Sequence, residues 1–342
     1  MILVVGGAGY IGTHMVKELL SHGREVVVLD NLSTGHQGLI PGGIFVQGDL
    51  GDETLLRSLF TTYPIGTVMH FAAFSLVAES VAFPLKYYEN NVAKTITLFK
   101  VMLEHGIKRF IFSSSAAVYG EPGYVPIDEK HPTVPTNPYG KTKLAIENML
   151  EDCDKAYGLK YVSLRYFNAA GADGKGRIGE CHNPETHLIP RILHVVKSVS
   201  FPPETPLPWR EGMKGRGSEY PLVEIYGTDY DTPDGTCIRD YIHVNDLAQA
   251  HLLAMNALEN GESSRIYNLG NNRGYSVKEV IEIAGQVTGR SIPVVKGPRR
   301  AGDPAILIAS SEKISKELGW KPRYPDLKTM VKTAWKWHRN RT

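Results

Sequence analysis

Short runs rich in Val, Ile, Phe and Tyr alternate with longer amphipathic stretches through the first half of the chain. Residues 2–5, 25–29, 44–46, 67–71, 109–112 and 161–164 are predicted strands, each bounded by Gly, Asp or Ser. Residues 12–22, 53–62, 84–105 and 139–157 carry helical spacing between them. Apolar strands separated by helices imply a parallel sheet covered on both faces, with right-handed crossovers. After about Ala170 the rhythm weakens. Residues 171–184 are rich in Gly, Asp and Asn, and residues 201–221 are proline-rich, charged and without period. The latter stretch is long for a connection inside a domain; it is either a surface insertion or a lid over a substrate. Further strands are expected at 224–226 and 265–269, and further helices at 246–258 and 277–288. The fold expected is α/β: a doubly wound parallel sheet over residues 1–170, to which about 225–265 returns, and a smaller α/β substrate lobe over 171–342. The basic tail from Lys336 to Arg341 reads as the solvated end of the last helix.

Composition narrows the class without changing this picture. With 42% hydrophobic and 22% charged residues in 342, the chain can bury a large core without staples. Its 38 basic and 36 acidic residues nearly cancel, so there is no basic field for nucleic acid and no polybasic membrane signal. The three cysteines, Cys153, Cys181 and Cys237, are odd in number and widely spaced, which suits reduced thiols. The first residues lack the pattern of a signal peptide, and no apolar run reaches the roughly 20 residues that span a bilayer. A cytoplasmic enzyme is expected. Cys181 and His182 are adjacent, but no second pair has ligand spacing, so no metal is expected.

Gly6, Gly9 and Gly12 follow the first strand and open the first helix; Gly7, Gly9 and Gly12 fit the tighter G-x-G-x-x-G spacing. Glycines here permit the turn, the approach of pyrophosphate and close helix–strand packing, while the helix N-terminus presents free N–H groups. Asp30 ends the second strand, where a carboxylate can accept from an adenosine ribose and repel a 2′-phosphate. The pattern favours NAD over NADP. Asp49, after the third strand, either caps the next helix or contacts adenine.

Tyr139 and Lys143 stand four residues apart and share one helix face. A free phenol titrates near 10, and a neighbouring ammonium is expected to lower that value, making a proton acceptor for a sugar hydroxyl. Ser115, in the serine run that closes the fifth strand, is a candidate partner of the reacting hydroxyl, since ligands of open α/β sheets bind at the carboxyl ends of strands.

Together with Ser113–Gly120, Asn137–Lys143, Leu164–Asn168 and Arg239–Val244, these motifs resemble the UDP-glucose 4-epimerase family of the extended short-chain dehydrogenases, over residues 1 to about 337. The resemblance implies a tightly held NAD, a UDP-sugar substrate and inversion at C4 through a 4-keto sugar. It assigns proton transfer to Tyr139, with Lys143 on the nicotinamide ribose and Ser115 on the sugar oxygen. It places Tyr10, Ile11 and Asn31 against the cofactor with the glycines and Asp30. Asp49, Leu50, Phe71, Ala72 and Ala73 join them, as do Asn91, Ser113 and Phe167. It gives the UDP-sugar to Asn168, His187, Leu188, Arg239, Tyr241, Arg300 and Asp303, with Leu307 as the gate that sets sugar size. Arg239 and Arg300 also make independent sense, because guanidinium groups clamp diphosphates. A homodimer through helices 84–105 and 139–157 is implied in the same way. Dehydratases of the superfamily carry acidic residues where Ala116 and Ala117 stand, so elimination lacks its acid and base. UDP-N-acetylglucosamine or UDP-glucuronate as substrate stays open, as does, more remotely, a non-catalytic NAD sensor.

Overall fold

The structure, a computed structural model, describes residues 1–198, 222–300 and 302–341. The proline-rich stretch 201–221 lies outside them, and so does the choice between insertion and lid.

Six runs of the first half form parallel strands: β1 (Ile2–Val5), β2 (Val26–Asp30), β3 (Ile44–Gln47), β4 (Thr67–His70), β5 (Arg109–Ser113) and β6 (Lys160–Tyr166). Three further strands follow, β7 (Asn168–Ala170), β8 (Val223–Tyr226) and β9 (Ile238–His243), and then β10 (Arg265–Leu269). β10 returns to the first six and completes a seven-stranded parallel sheet of order β3-β2-β1-β4-β5-β6-β10. The order reverses at β1, between β2 and β4, so a crevice opens there at the carboxyl ends of the strands.

Both faces of this sheet are dry, which is why β1 and β2 are apolar at nearly every position instead of alternating. Helix α1 (Tyr10–Ser21) sends Met15 and Leu19 onto one face, against Val4, Val28 and Met69. On the other face α2 (Glu53–Thr62) contributes Leu56 and Leu59 against Leu3, Val27 and Phe110. Each such leucine, fully buried, is worth about 1.5–3 kcal/mol.

The stretch expected as one helix over 84–105 is broken into parts. After α3 (Val77–Ala82) come α4 (Pro84–Tyr87), a π-helical segment over Tyr88–Ala93, and α5 (Lys94–Glu104). The wider turn carries Asn91, which is fully buried. Such segments gather at functional sites because they re-aim a side chain without ending the helix.

Helix α6 (Pro138–Tyr157) starts on a strong signal. Asn137 caps it by accepting from the Gly140 N–H at 2.9 Å, Pro138 occupies the first turn, and Gly158 closes the far end in the left-handed region. An Asn cap is worth about 1 kcal/mol; here it also fixes the first turn, where Tyr139 sits.

The remaining elements are α7 (Leu188–Ser198), α8 (Val244–Glu259), β11 (Gly274–Ser276), α9 (Val277–Thr288), β12 (Val294–Gly297), β13 (Ile306–Leu307), α10 (Glu312–Leu318) and α11 (Leu327–Asn340). α8 packs on the α1 face of the large sheet through Leu252 and Met255. β9 is the centre of a small sheet: β7 and β13 run parallel to it and β11 antiparallel. β8 pairs with β12. Helices α7, α9 and α11 enclose a separate core with Ile192, Val280 and Met330 at its centre. The basic tail differs from expectation. Arg339 and Arg341 are exposed, but Trp337 and His338 are buried, and the Trp337 Nε1–H donates to the Glu180 carbonyl at 2.9 Å. An indole buried with its N–H satisfied anchors the helix end to the 171–187 loop.

Candidate active site

A cleft opens at the carboxyl ends of β1 to β4. Gly6, Gly9, Asp30, Asn31, Asp49, Leu50, Phe71, Ala72 and Ala73 line it, together with Phe74, Asn90 and Lys94, which sequence reasoning did not single out. Two glycines are sterically fixed. Gly6 has φ +77°, and a Cβ there would come within 2.5 Å of the Ala72 nitrogen; a Cβ on Gly12 would lie 2.2 Å from the Gly6 carbonyl oxygen. Gly9 caps α1 with no side-chain bond, so the first N–H groups of that helix stay free beside the cleft.

Asp30 sits at the mouth of β2, accepting from the Ala8 N–H at 2.9 Å and the Leu32 N–H at 2.8 Å. Each carboxylate oxygen keeps a further lone pair for a hydroxyl. Asp49 is not the cap of α2; Asp52 is, through the Leu55 N–H. Asp49 accepts from Asn31 Nδ2 at 2.9 Å, Lys94 Nζ at 2.7 Å and the Gly51 N–H at 2.8 Å. Burial pushes its carboxyl up, but these donors pull it below the ordinary value. Tyr10 turns away from the cleft to donate to the Gly171 carbonyl at 2.7 Å, leaving its backbone and that of Ile11 toward the helix start. Asn91 has its polar atoms engaged: Oδ1 accepts from the Phe74 N–H, and Nδ2 donates to the Phe74 carbonyl and to Thr142 Oγ1. It ties the wall of the cleft to α6.

At the end of β5 the second group of residues converges. Ser115 accepts from the Ala117 N–H at 3.1 Å, leaving its hydroxyl proton to give. Its neighbour Tyr139 is buried; burial raises the phenol and Ser115 lowers it, with burial the larger. Lys143 is also buried, donates to the Ser113 carbonyl at 2.8 Å and lies 5.9 Å from the Tyr139 ring centre. Burial pushes its ammonium down to about 7, against the pull of Glu147. The expected effect of Lys143 on Tyr139 is therefore not the dominant one. Desolvation acts on both groups and favours a neutral phenol over a phenolate, and a lysine half-discharged near neutrality is a weak counter-charge.

Behind them lies a buried network with no signal in the local sequence. Ser114 donates to Glu147 at 2.5 Å, Glu147 is clamped bidentately by Arg165, Arg165 donates to Tyr119 at 3.0 Å, and Tyr119 donates to Asn268 at 2.6 Å. These residues come from α6, β6, β10 and the loop after β5, and meet only in the fold.

The small sheet gathers other candidates by register. Asn168 pairs with Tyr241, and Leu307 with Arg239. Arg239 and Tyr241 are two residues apart on β9, so all four share one face. Phe167 and Leu307 pack on a small apolar cluster of Val118, Tyr119 and Ile127. Arg239 and Arg300 flank Asp303: Arg300 Nε donates to it at 3.0 Å, and Arg239 lies 3.9 Å away. A carboxylate holding two guanidinium groups side by side prepares a clamp for a diphosphate. His187 and Leu188 stand where the loop enters α7, and His187 Nδ1 contacts Glu180.

A family model for the NAD dependent epimerase/dehydratase family matches residues 2–270. The UDP-glucose 4-epimerase of Halalkalibacterium halodurans is 57% identical over 338 residues, covering 99% of this chain and 95% of that protein. The chain belongs to the UDP-glucose 4-epimerases of this family. Solved structures agree. The UDP-glucose 4-epimerase from Brucella ovis in complex with NAD is 46% identical, with TM-score 0.88 over 97% of this chain and 96% of its own. The enzyme from Bifidobacterium longum in complex with NAD+ and UDP is 38% identical, with TM-score 0.88 over 99% and 98%. The Rossmann-type parallel sheet expected from the sequence is the fold of this epimerase family.

Proposed function

We infer that this epimerase inverts C4 of a UDP-hexose, interconverting UDP-galactose and UDP-glucose through a 4-keto sugar with NAD retained. One observation carries the reading: Tyr139, Ser115 and Lys143 converge at the carboxyl end of β5, on the same edge of the sheet as the glycine-walled cleft. The cleft fits a dinucleotide, because its floor is bare backbone: Gly6 and Gly9 line it, and a Cβ at Gly6 would strike the Ala72 nitrogen. Gly6, Gly9 and Gly12 with the start of α1 would hold the pyrophosphate, and Asp30 the adenosine ribose. NAD, when bound, supplies the hydride acceptor and donor for C4.

The chain's own residues then handle one proton and one large ligand. Tyr139 acts from its phenolate form, which burial opposes and the Ser115 hydroxyl and a protonated Lys143 favour: the phenolate takes the proton from the 4-hydroxyl as C4 is oxidised and returns it after the keto sugar has turned, so no proton is consumed. Ser115 gives its free proton to the phenol oxygen or the sugar oxygen, and Lys143 supplies charge when protonated. Arg239 and Arg300, paired by Asp303, take the diphosphate. Asn168 and Tyr241 line the same face, and Leu307 bounds the sugar.

The same proposal includes a homodimer in a reducing compartment. Val81, Phe83 and Leu85 are 62%, 61% and 81% exposed and adjoin Val77 and Tyr88, an apolar patch at the start of the 84–105 stretch. A symmetric second copy would cover it. No helix among the described residues is long and apolar enough to cross a membrane, and the three cysteines are free, which supports the cytoplasm. Purified protein should form UDP-glucose from UDP-galactose with no NAD added. No product even with NAD supplied would overturn the reading and direct the test to uronate and N-acetyl sugars. Sedimentation should give a dimer that Leu85→Glu weakens; a monomer at assay concentration would remove that part.

A further inference from the structure

The loop between β7 and α7 holds a cluster that the proton transfer does not use, although the resemblance gave one member, His187, to the UDP-sugar. Glu180, His182, Glu185 and His187 each direct one ligand atom into a common space, with all four atoms within 4.8 Å of one another. Nothing in the sequence alone marked them as a set, since the spacing matches no common metal motif. The fold converges them by turning the loop back over itself. The Trp337 indole holds the Glu180 carbonyl from α11, and the Tyr10 ring, from the cofactor turn, stands edge-on to His182 at 6.4 Å.

The burial of the carboxylates is what needs explaining. The Glu180 side chain is 4% exposed and that of Glu185 is 6%. Glu180 Oε1 meets both imidazoles, His182 Nδ1 at 3.1 Å and His187 Nδ1 in closer contact. Glu185 Oε1 accepts from the Thr186 and His187 N–H groups. Its other oxygen, Oε2, points at His182 Nδ1 from 3.8 Å and has no hydrogen-bond partner among the described residues. A buried carboxylate oxygen without a donor is costly, and it is aimed into the centre of the cluster.

We propose that Glu180, His182, Glu185 and His187 form a binding site for one divalent transition metal ion, with Zn2+ the ion it suits best. Two imidazole nitrogens and two carboxylate oxygens are a ligand set for zinc, whereas magnesium and calcium prefer oxygen alone. Charge is balanced either way: two carboxylates face two imidazolium groups, or two neutral imidazoles and one M2+. The ion therefore replaces two protons and leaves no net charge buried. Four protein ligands close the shell, so the site is a brace rather than a catalyst. It would tie the loop to itself where it leads into His187 and Leu188, beside Tyr10 of the dinucleotide turn.

The probe is Zn2+ itself, with Mg2+ as control, on the full-length protein freed of metal by a chelator. Zinc added to the chelated protein should remain bound through gel filtration at one ion per chain and raise the melting temperature; Mg2+ should do neither. Co2+ in its place should give the visible d–d bands of a four-coordinate ion. Glu185→Gln, which keeps shape and removes charge, should weaken zinc at least tenfold and abolish those bands, and His182→Gln should do the same. Circular dichroism of both variants keeps a loss of binding distinct from a loss of fold. Zinc lost on gel filtration, or retained equally by both variants, would overturn the proposal and leave the four residues as a buried ion-pair network.

Discussion

The two lobes build their candidate ligand sites by different means. In the large sheet the cleft is made of backbone: Gly6 and Gly12 are bare because the chain needs the room, and Asp30 stands at a strand end. In the small lobe the candidate residues are side chains from β7, β9, β13 and the 298–303 loop, held in place by Asp303 and by register. Backbone recognition is written in consecutive residues. Side-chain recognition is written across 140 positions of chain and exists only once they are assembled. The difference predicts that damage in the large sheet stops chemistry or folding, and that damage in the small lobe tunes affinity and choice of sugar.

The largest effect should come from Tyr139→Phe. It removes the proton carrier but leaves the ring that packs in the pocket. Turnover should fall about 10³-fold, within the range for general acid–base groups, while bound NAD, read by absorbance after denaturation, stays at the wild-type level. Unchanged turnover would remove Tyr139 from the mechanism and the comparison with it.

Lys143 gives a second, opposite pair of signs. Its ammonium is held at about 7 by burial, below its ordinary 10.5. A lowered lysine destabilises the fold where it must be charged: the burden is full below pH 7, shrinks as pH rises, and is gone above 10.5, where both states are neutral. Lys143→Met should therefore lose activity yet raise the melting temperature at pH 6. The gain should be on the order of a few kcal/mol, less about 1 kcal/mol for the lost bond to Ser113. The gain should narrow by pH 9. Equal melting temperatures at pH 6 would mean that the lysine is not strained.

The same contrast explains what could be read in advance. Strands 2–5 and 265–269 and helices 53–62 and 277–288 match the structure to the residue, because period and boundary signals were local. β7, β9, β11 and β13 are short or polar, and their partners are remote, so no period announced them. Tyr139 and Lys143 were visible as a spacing, but the net direction in which each group shifts was not, since it depends on how deeply both are buried. The Ser114–Glu147–Arg165–Tyr119 chain and the 180–187 cluster had no local signature at all. Arg239 and Arg300 were legible through the resemblance and through the fit of guanidinium groups to a diphosphate; that one carboxylate, Asp303, joins them is a fact of the fold.

In the small lobe, Arg239→Ala should raise KM for the UDP-sugar about 30-fold with a smaller change in kcat, as expected for a charge-assisted bond worth roughly 2 kcal/mol. Arg239→Lys should rescue little, because an ammonium cannot make the paired bonds of the fork or hold the Pro304 carbonyl in the same way. A loss confined to kcat would place Arg239 in the chemistry and blur the division between lobes.

The smallest effect should be at Leu307. Its backbone pairs with Arg239, and its half-buried side chain packs with Phe167 over Val118, Tyr119 and Ile127. It can therefore change the shape of the pocket without touching the proton path. Leu307→Ala should shift the ratio of kcat/KM for N-acetylated over plain UDP-galactose upward about tenfold, and Leu307→Tyr should shift it downward, the scale set by a few methylene groups in an apolar pocket. Tyr139-dependent turnover of the plain sugar should stay within a few-fold of wild type in both variants, because strand β5 and helix α6 hold the proton path independently of β13. If instead both variants lost plain-sugar turnover in parallel with unaltered selectivity, Leu307 would be a packing residue of the Val118 cluster, and the wall that sets sugar size would have to be sought elsewhere on the small sheet.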